Sequence, residues 1–192
     1  MIRHLQRALG VKDDGIAGPA TFTALFRKLG ATTDRAQELA LAAYRWFGEY
    51  GVMDSPLRLS HFMAQLAHES GSFRYMEELA SGKAYEGRAI LGNTQPGDGA
   101  RYKGRGPIQI TGRANYARYG KRIGIDLERH PEIAAIPSIG LHTALEYWKV
   151  NGLNTLADAD NLTAITKLIN GGMNGIDDRK RRLAEIKGWL TI

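Results

Sequence analysis

The sequence predicts a mainly α-helical protein with long glycine-rich loops. Apolar residues recur three and four positions apart over most of the chain, the period of helices that bury one face. The 23 glycines gather around residues 87–124 and 171–175, where positive φ and close backbone approach are expected. Only one short stretch, RGPIQITG at 105–112, alternates as a strand would.

The 192 residues suit one domain of ordinary size with a small appendage. A hydrophobic share of 43% and a charged share of 24% exclude wholesale disorder. No apolar run approaches the ~20 residues that span a bilayer, so stable membrane insertion is not expected. The start, MIRHLQRALG, lacks the apolar core of a secretory leader, which points to cytoplasmic synthesis. With no cysteine, disulfides, thiolate metal sites and a cysteine nucleophile are excluded. The formal charge of +6 favours anionic partners such as wall polymers, acidic lipids or nucleic acid. Basic residues are dispersed until RKRR at 179–182.

Taken in chain order, residues 1–30 form a small helical unit. Ile2, Leu5 and Leu9 share a face, DDGIAGPAT marks a turn, and Phe22, Leu25, Phe26 and Leu29 resume the helical spacing. The main domain, 31–192, opens with Asp34 as a helix cap and Gln37 as its capping-box partner. Leu39, Ala43, Trp46, Phe47 and Tyr50 follow, then Leu59, Phe62, Met63, Leu66 and Ala67 on one stripe closed by Gly71. Residues 72–106 lack apolar periodicity and read as a long functional loop. Helices resume at Ser138 with Leu141, Ala144, Leu145 and Trp148, at Leu162 with Ile165, Leu168 and Ile169, and near Asp178 with Leu183 and Ile186. Trp46, Trp148 and Trp189 fall at core spacings.

Glu69 lies roughly 70° from the centre of its apolar stripe, at the edge and near a helix C-terminus. A carboxyl there is partly desolvated and faces the negative end of the helix dipole. Both favour the protonated form that a general acid needs. Gly71 ends the helix, so the chain can fold back and bring a second carboxyl to the same cleft. Glycoside hydrolysis commonly uses such a pair. Spacing alone leaves Glu77, Glu78 and Glu86 as candidates for the partner. In a strand, Gln109 and Thr111 would point the same way, offering an amide and a hydroxyl to one groove. Gly104 and Gly106 would let a sugar approach the backbone. The G-x-G pattern lacks a following Gly-Lys-Ser/Thr, which disfavours a nucleotide loop. His61, His130 and His142 show no zinc-ligand spacing, and neither metal nor cofactor is expected.

Two resemblances add to this reading. Leu5-Gln6, Leu9-Gly10, Asp14-Gly15, Gly18-Pro19, Thr21 and Ala24-Leu25 follow the pattern of peptidoglycan-binding repeats, over about half of that module. HESGSF at 68–73, Glu78 nine residues after Glu69, YKGRGPIQITGRANY at 102–116, IGIDL at 123–127 and INGG at 169–172 resemble the core of glycoside hydrolase family 19. That family holds chitinases and lysozyme-like endolysins, and YEGRAILGNTQPGDGARYKGRG looks more like the endolysin branch.

The resemblance implies a mainly α-helical, lysozyme-like fold with a deep cleft and an inverting mechanism. Glu69 matches the general acid, Glu78 the general base of short-loop members, and Thr111 the residue that helps position water. Gln109, Asn115 and Asn170 match sugar-contacting positions, and His68 and Tyr102 sit in motif positions beside them. Longer-loop members place the base later, which keeps Glu86 as a weaker candidate. Asn174 stands where many chitinases carry an acidic residue that acts with an arginine, leaving the parts of Arg179 and Arg182 open. Inversion predicts carboxyl groups roughly 6.5–9.5 Å apart. The expected function is therefore that of a monomeric endolysin cutting β-1,4 bonds of peptidoglycan glycan strands, delivered to the wall by a separate membrane-permeabilising partner (a holin). Its rivals are a chitinase with the same machinery, a non-catalytic wall-binding protein, and a nucleic-acid binder using Arg179 to Arg182.

Overall fold

The computed structural model describes residues 1–192 as ten α-helices joined by turns, short 3-10 segments and one long ordered loop region. The helices are α1 (Ile2–Leu9), α2 (Pro19–Lys28), α3 (Thr33–Trp46), α4 (Pro56–Glu69), α5 (Asp98–Arg101), α6 (Arg113–Ile123), α7 (Pro137–Val150), α8 (Leu153–Asp158), α9 (Leu162–Asn170) and α10 (Ile176–Leu190).

Helix α4 is the central element. Pro56 occupies its first turn, and the Ser55 hydroxyl accepts the Arg58 N–H at 3.1 Å, a cap that contributes about 1 kcal/mol. Burial contributes far more, because every residue from Leu59 to Ala67 is buried. The sequence suggests a one-sided stripe; the structure surrounds the helix instead. Its polar positions are therefore paired: Ser60 donates to the Pro56 carbonyl at 2.7 Å, His61 Nε2 meets Asp160 at 2.7 Å, and Gln65 meets Arg179. Helices α10, α8 and α7 pack around it.

A run of edge-to-face aromatic pairs joins the N-terminal helices to this core. Phe22 of α2 meets Phe47 at 5.3 Å, Phe47 meets Phe62 of α4 at 5.5 Å, and Phe62 meets Trp148 of α7 at 5.2 Å. Residues 1–30 thus share one apolar cluster with 31–192. The motif residues in α1 and α2 hold their own turn. Gln6 Nε2 donates to Asp14, to the Ile16 carbonyl and to Thr21, while its Oε1 accepts the Gly15 N–H at 2.8 Å.

Several sequence expectations need correction. Helix α3 starts at Thr33 after Thr32, so Asp34 lies inside the first turn and makes no cap bond. Helix α6 was not signalled by aliphatic spacing; its buried face is Tyr116, Tyr119 and Gly120. Residues 105–112 form no strand. Gln109 adopts φ 57°, which turns the chain back so that Arg105 and Ile110 exchange backbone hydrogen bonds at 3.1 and 3.0 Å. The loop region folds around the Arg105 guanidinium, which donates to Glu77 at 3.0 Å, the Arg101 carbonyl at 2.9 Å and the Tyr116 hydroxyl at 3.1 Å.

Candidate active site

Glu69 is the last residue of α4, and the chain reverses directly after it. Gly71, Ser72 and Phe73 all take left-handed φ, at 56°, 65° and 61°. Two of them carry side chains, at a cost of roughly 1–2 kcal/mol each. The turn is held by the Ser70 hydroxyl, which donates to the Leu66 carbonyl at 2.6 Å and accepts the Phe73 N–H at 2.8 Å. Gly71 thus ends the helix and folds the chain back, as its position in the sequence suggests.

The three candidate partner carboxyls separate by their neighbours. Glu77 is held by Arg105 at 2.9 Å and Lys103 at 3.3 Å. Glu86 accepts the N–H groups of Gly97 at 2.6 Å and Gly99 at 2.8 Å, so it staples a loop. Glu78 pairs with no cation. Its Oε1 accepts the Tyr85 hydroxyl at 3.0 Å, and its Oε2 accepts the Gly104 N–H at 3.1 Å. Burial and this bond to a carboxylate raise the Tyr85 phenol above its ordinary pKa.

Glu78, Gln109 and Thr111 converge on Gly104. A methyl group built there would lie 2.7 Å from Gln109 Oε1, 3.2 Å from Glu78 Oε2 and 3.4 Å from Thr111 Oγ1. Thr111 gives its hydroxyl proton to the Gln109 carbonyl at 3.0 Å, and Gln109 gives an amide proton to the Gly106 carbonyl at 2.9 Å. Three acceptor oxygens therefore face one spot. Such a cluster suits a donor with two protons, or a sugar hydroxyl or amide.

Gln109, Thr111 and Asn115 line a cavity of about 210 Å³ with Leu91, Tyr147 and Ile169. Asn115 also donates to the Thr111 carbonyl at 2.8 Å, which fixes Thr111 from behind. Asn170 follows Ile169 and is exposed. The Tyr147 phenol is pushed up to about 12, chiefly by burial, then by Tyr119 and by the charge of Glu69. Glu78 thus adjoins the wall of this cavity through Gln109 and Thr111.

The remaining candidates sit elsewhere. Tyr102 is 1% exposed, and its hydroxyl donates to the Glu128 carbonyl at 2.9 Å. It is a core residue under the loop and not a sugar contact, because its polar atom is already spent on backbone. His68 Nδ1 lies 2.7 Å from Asp178 Oδ2, and its ring packs directly on Gly175. It joins the end of α4 to the start of α10.

Sequence reasoning left Arg179 open. It is fully buried, and its guanidinium donates to both Glu69 Oε1 and Gln65 Oε1. Glu69 itself is 17% exposed. Arg182 pairs with Asp178 at 2.6 Å and donates to the Ser72 hydroxyl at 3.1 Å. Arg181 also pairs with Asp178. Within RKRR, Arg179 is thus spent on Glu69, Arg181 and Arg182 share the single carboxylate of Asp178, and Lys180 is exposed.

The sequence matches the model of glycoside hydrolase family 19, described as class I chitinase, over residues 56–156. The chain belongs to glycoside hydrolase family 19. A family 19 domain-containing protein of Haemophilus influenzae is 35% identical over 149 residues, covering 62% of this chain and 72% of that protein. An Arabidopsis thaliana endochitinase is 34% identical over 159 residues, covering 80% of this chain and 55% of the relative, so the chain spans about half that plant protein's length. Chitinase C of Streptomyces griseus superposes with a TM-score of 0.69 at 21% identity, covering 88% of this chain and 77% of that one. A class IV chitinase of Zea mays gives 0.65 at 23%, covering 91% and 92%. These structures share the lysozyme-like helical fold of this family 19 glycoside hydrolase. The matched span holds Glu69, Glu78, Gln109, Thr111 and Asn115, whereas Asn170 and Arg179 lie beyond it.

Proposed function

We propose that this family 19 enzyme is an endolysin that hydrolyses β-1,4 bonds of peptidoglycan glycan strands with inversion. The observation that carries the reading is the convergence of Glu78 Oε2, Gln109 Oε1 and Thr111 Oγ1 at Gly104. A water seated there donates one proton toward Glu78 and the other toward Thr111, which leaves its lone pair free for the anomeric carbon. Glu69, protonated, gives its proton to the glycosidic oxygen as the C1–O bond breaks. Water adds from the opposite face, and Glu78 takes its proton. The product is a reducing end of inverted configuration, and proton exchange with solvent resets both carboxyls. Asn115 steadies Thr111, and exposed Asn170 is a sugar contact at the cavity's Ile169 side.

The formal charge of +6 supports an anionic wall polymer as substrate. So does the Gln6–Asp14–Thr21 pattern, which resembles a wall-binding repeat; wall attachment through it would raise the local enzyme concentration. The second reading, a chitinase, is favoured by the names of the plant and Streptomyces relatives. Purified sacculi and chitin hexamer, each offered to wild type and Glu69→Gln, decide between them. Expected are soluble muropeptides from sacculi with wild type and none with Glu69→Gln, the variant still sedimenting with sacculi. Mass spectrometry of the new reducing ends names the bond. Cleavage of chitin hexamer with intact sacculi would establish the chitinase instead, and wild-type activity in Glu69→Gln would refute the mechanism.

A further inference from the structure

The left-handed turn 71–73 stands between the proposed acid and the proposed base, and its outer side is covered by the N-terminal helices. Phe73 is fully buried and meets Phe26 of α2 edge-to-face at 5.1 Å and 88°. Gly30, at φ 107°, lies so close to Ser72 that a methyl group on it would approach the Ser72 side chain to 2.9 Å. Arg35 of α3 donates to the Phe73 carbonyl at 2.8 Å and the Arg74 carbonyl at 2.9 Å. These contacts come from residues 26–35 and converge on the three residues 72–74. Ser72 and Phe73 would relax toward ordinary φ without outside support, because left-handed conformation is unfavourable for residues with a Cβ.

We propose that Phe26, Gly30 and Arg35 are positioning residues that brace this turn, so that the junction of the N-terminal helical unit with α3 sets the placement of Glu69 relative to Glu78. The inference rests on the reading of those two glutamates as acid and base. A wall-binding unit and a brace differ in one respect. Loss of wall binding harms cleavage of insoluble sacculi alone, whereas loss of the brace harms the chemical step on any substrate.

The test uses the full chain with intact sacculi, soluble uncrosslinked glycan strands and chitin hexamer. Arg35 is partly exposed, so Arg35→Ala should fold. It is expected to lower kcat about tenfold or more, with KM within about twofold, equally on sacculi and on the soluble substrate the enzyme cuts. Arg35→Lys keeps a donor for the two carbonyls and should recover most of the rate. Phe26→Leu should show the same loss in kcat. Leu153→Ala, buried in α8, which makes none of these contacts to the turn, should lower Tm and leave kcat at 25 °C unchanged. Wild-type kcat on the soluble substrate in Arg35→Ala and Phe26→Leu, with Glu69→Gln inactive, overturns the brace alone. Equal losses of kcat in Leu153→Ala and Arg35→Ala overturn it as well, since the effect is then one of general stability. An active Glu69→Gln overturns the catalytic reading and the brace together.

Discussion

The Tyr85 hydroxyl donates to Glu78 Oε1 at 3.0 Å while the Gly104 N–H donates to Oε2 at 3.1 Å. Glu78 thus has each oxygen fixed by a neutral donor, and one oxygen still faces Thr111 and Gln109. Hydrogen bonds to a carboxylate are worth about 1.5–3 kcal/mol. Tyr85→Phe removes one of two and lets the carboxyl rotate. The expected loss is about 10- to 100-fold in kcat with little change in KM, read from initial rates on the soluble substrate. A Tyr85→Phe enzyme at full kcat would show that Glu78 needs no such alignment.

Gly104 has an ordinary φ, so alanine there costs little in backbone strain. Its methyl group would nevertheless enter the space where the three oxygens converge, at 2.7–3.4 Å from them. Gly104→Ala is expected to abolish turnover by excluding the attacking water, while Tm shifts by only a few degrees. Thermal unfolding beside a product assay separates the two effects. Turnover within about threefold of wild type would place the water elsewhere.

Asp98 ties the loop to the start of α6. Its side chain is 2% exposed and pairs with Arg113 at 2.5 Å. The Arg113 hydrogen bonds hold its carboxyl below the ordinary value, against burial and aided by the Gln95 N–H. A depressed folded pKa contributes stability that is present above the unfolded value of about 4 and is lost as pH falls through the folded one. Asp98→Asn should therefore lower Tm fully at pH 7, with the gap to wild type closing below about pH 4. Calorimetry at pH 7, 5 and 3 reads this, and a gap that stays constant to pH 3 contradicts it.

Helix α4 and Glu69 were legible because apolar spacing survives even when a helix is buried on every side. The reversal of the chain after Glu69 was legible from Gly71, whereas spacing left Glu77, Glu78 and Glu86 open, and only the cations on Glu77 and the loop bonds of Glu86 separate them. Helix α6 was hidden because its buried face consists of tyrosines and a glycine in RANYARYGKRI, which aliphatic periodicity does not register. The strand expected over Gln109 and Thr111 failed because Gln109 adopts a conformation that its residue type does not announce. Their side chains still meet, through a turn and not through alternation. Tyr102 misled because motif membership does not distinguish a sugar contact from a buried support. Tyr85 and Arg35 were out of reach, since a donor to a given oxygen or carbonyl has no spacing rule across a loop.

Arg179 stands 110 positions from Glu69 and reaches it with no solvent between. Its planar fork serves Glu69 and Gln65 at once, a geometry the compact lysine ammonium does not reproduce. Arg179→Met removes the buried donor shared by Glu69 and Gln65 and is expected to lower Tm. Arg179→Lys keeps the charge, so it should fold and lose kcat by about tenfold or more. Because Arg179 acts through Glu69, the two changes should not add. The double variant Arg179→Lys with Glu69→Gln should be no slower than Glu69→Gln alone. If the losses multiply, Arg179 contributes to the reaction independently of Glu69, by contacting the glycan or by supporting Gln65.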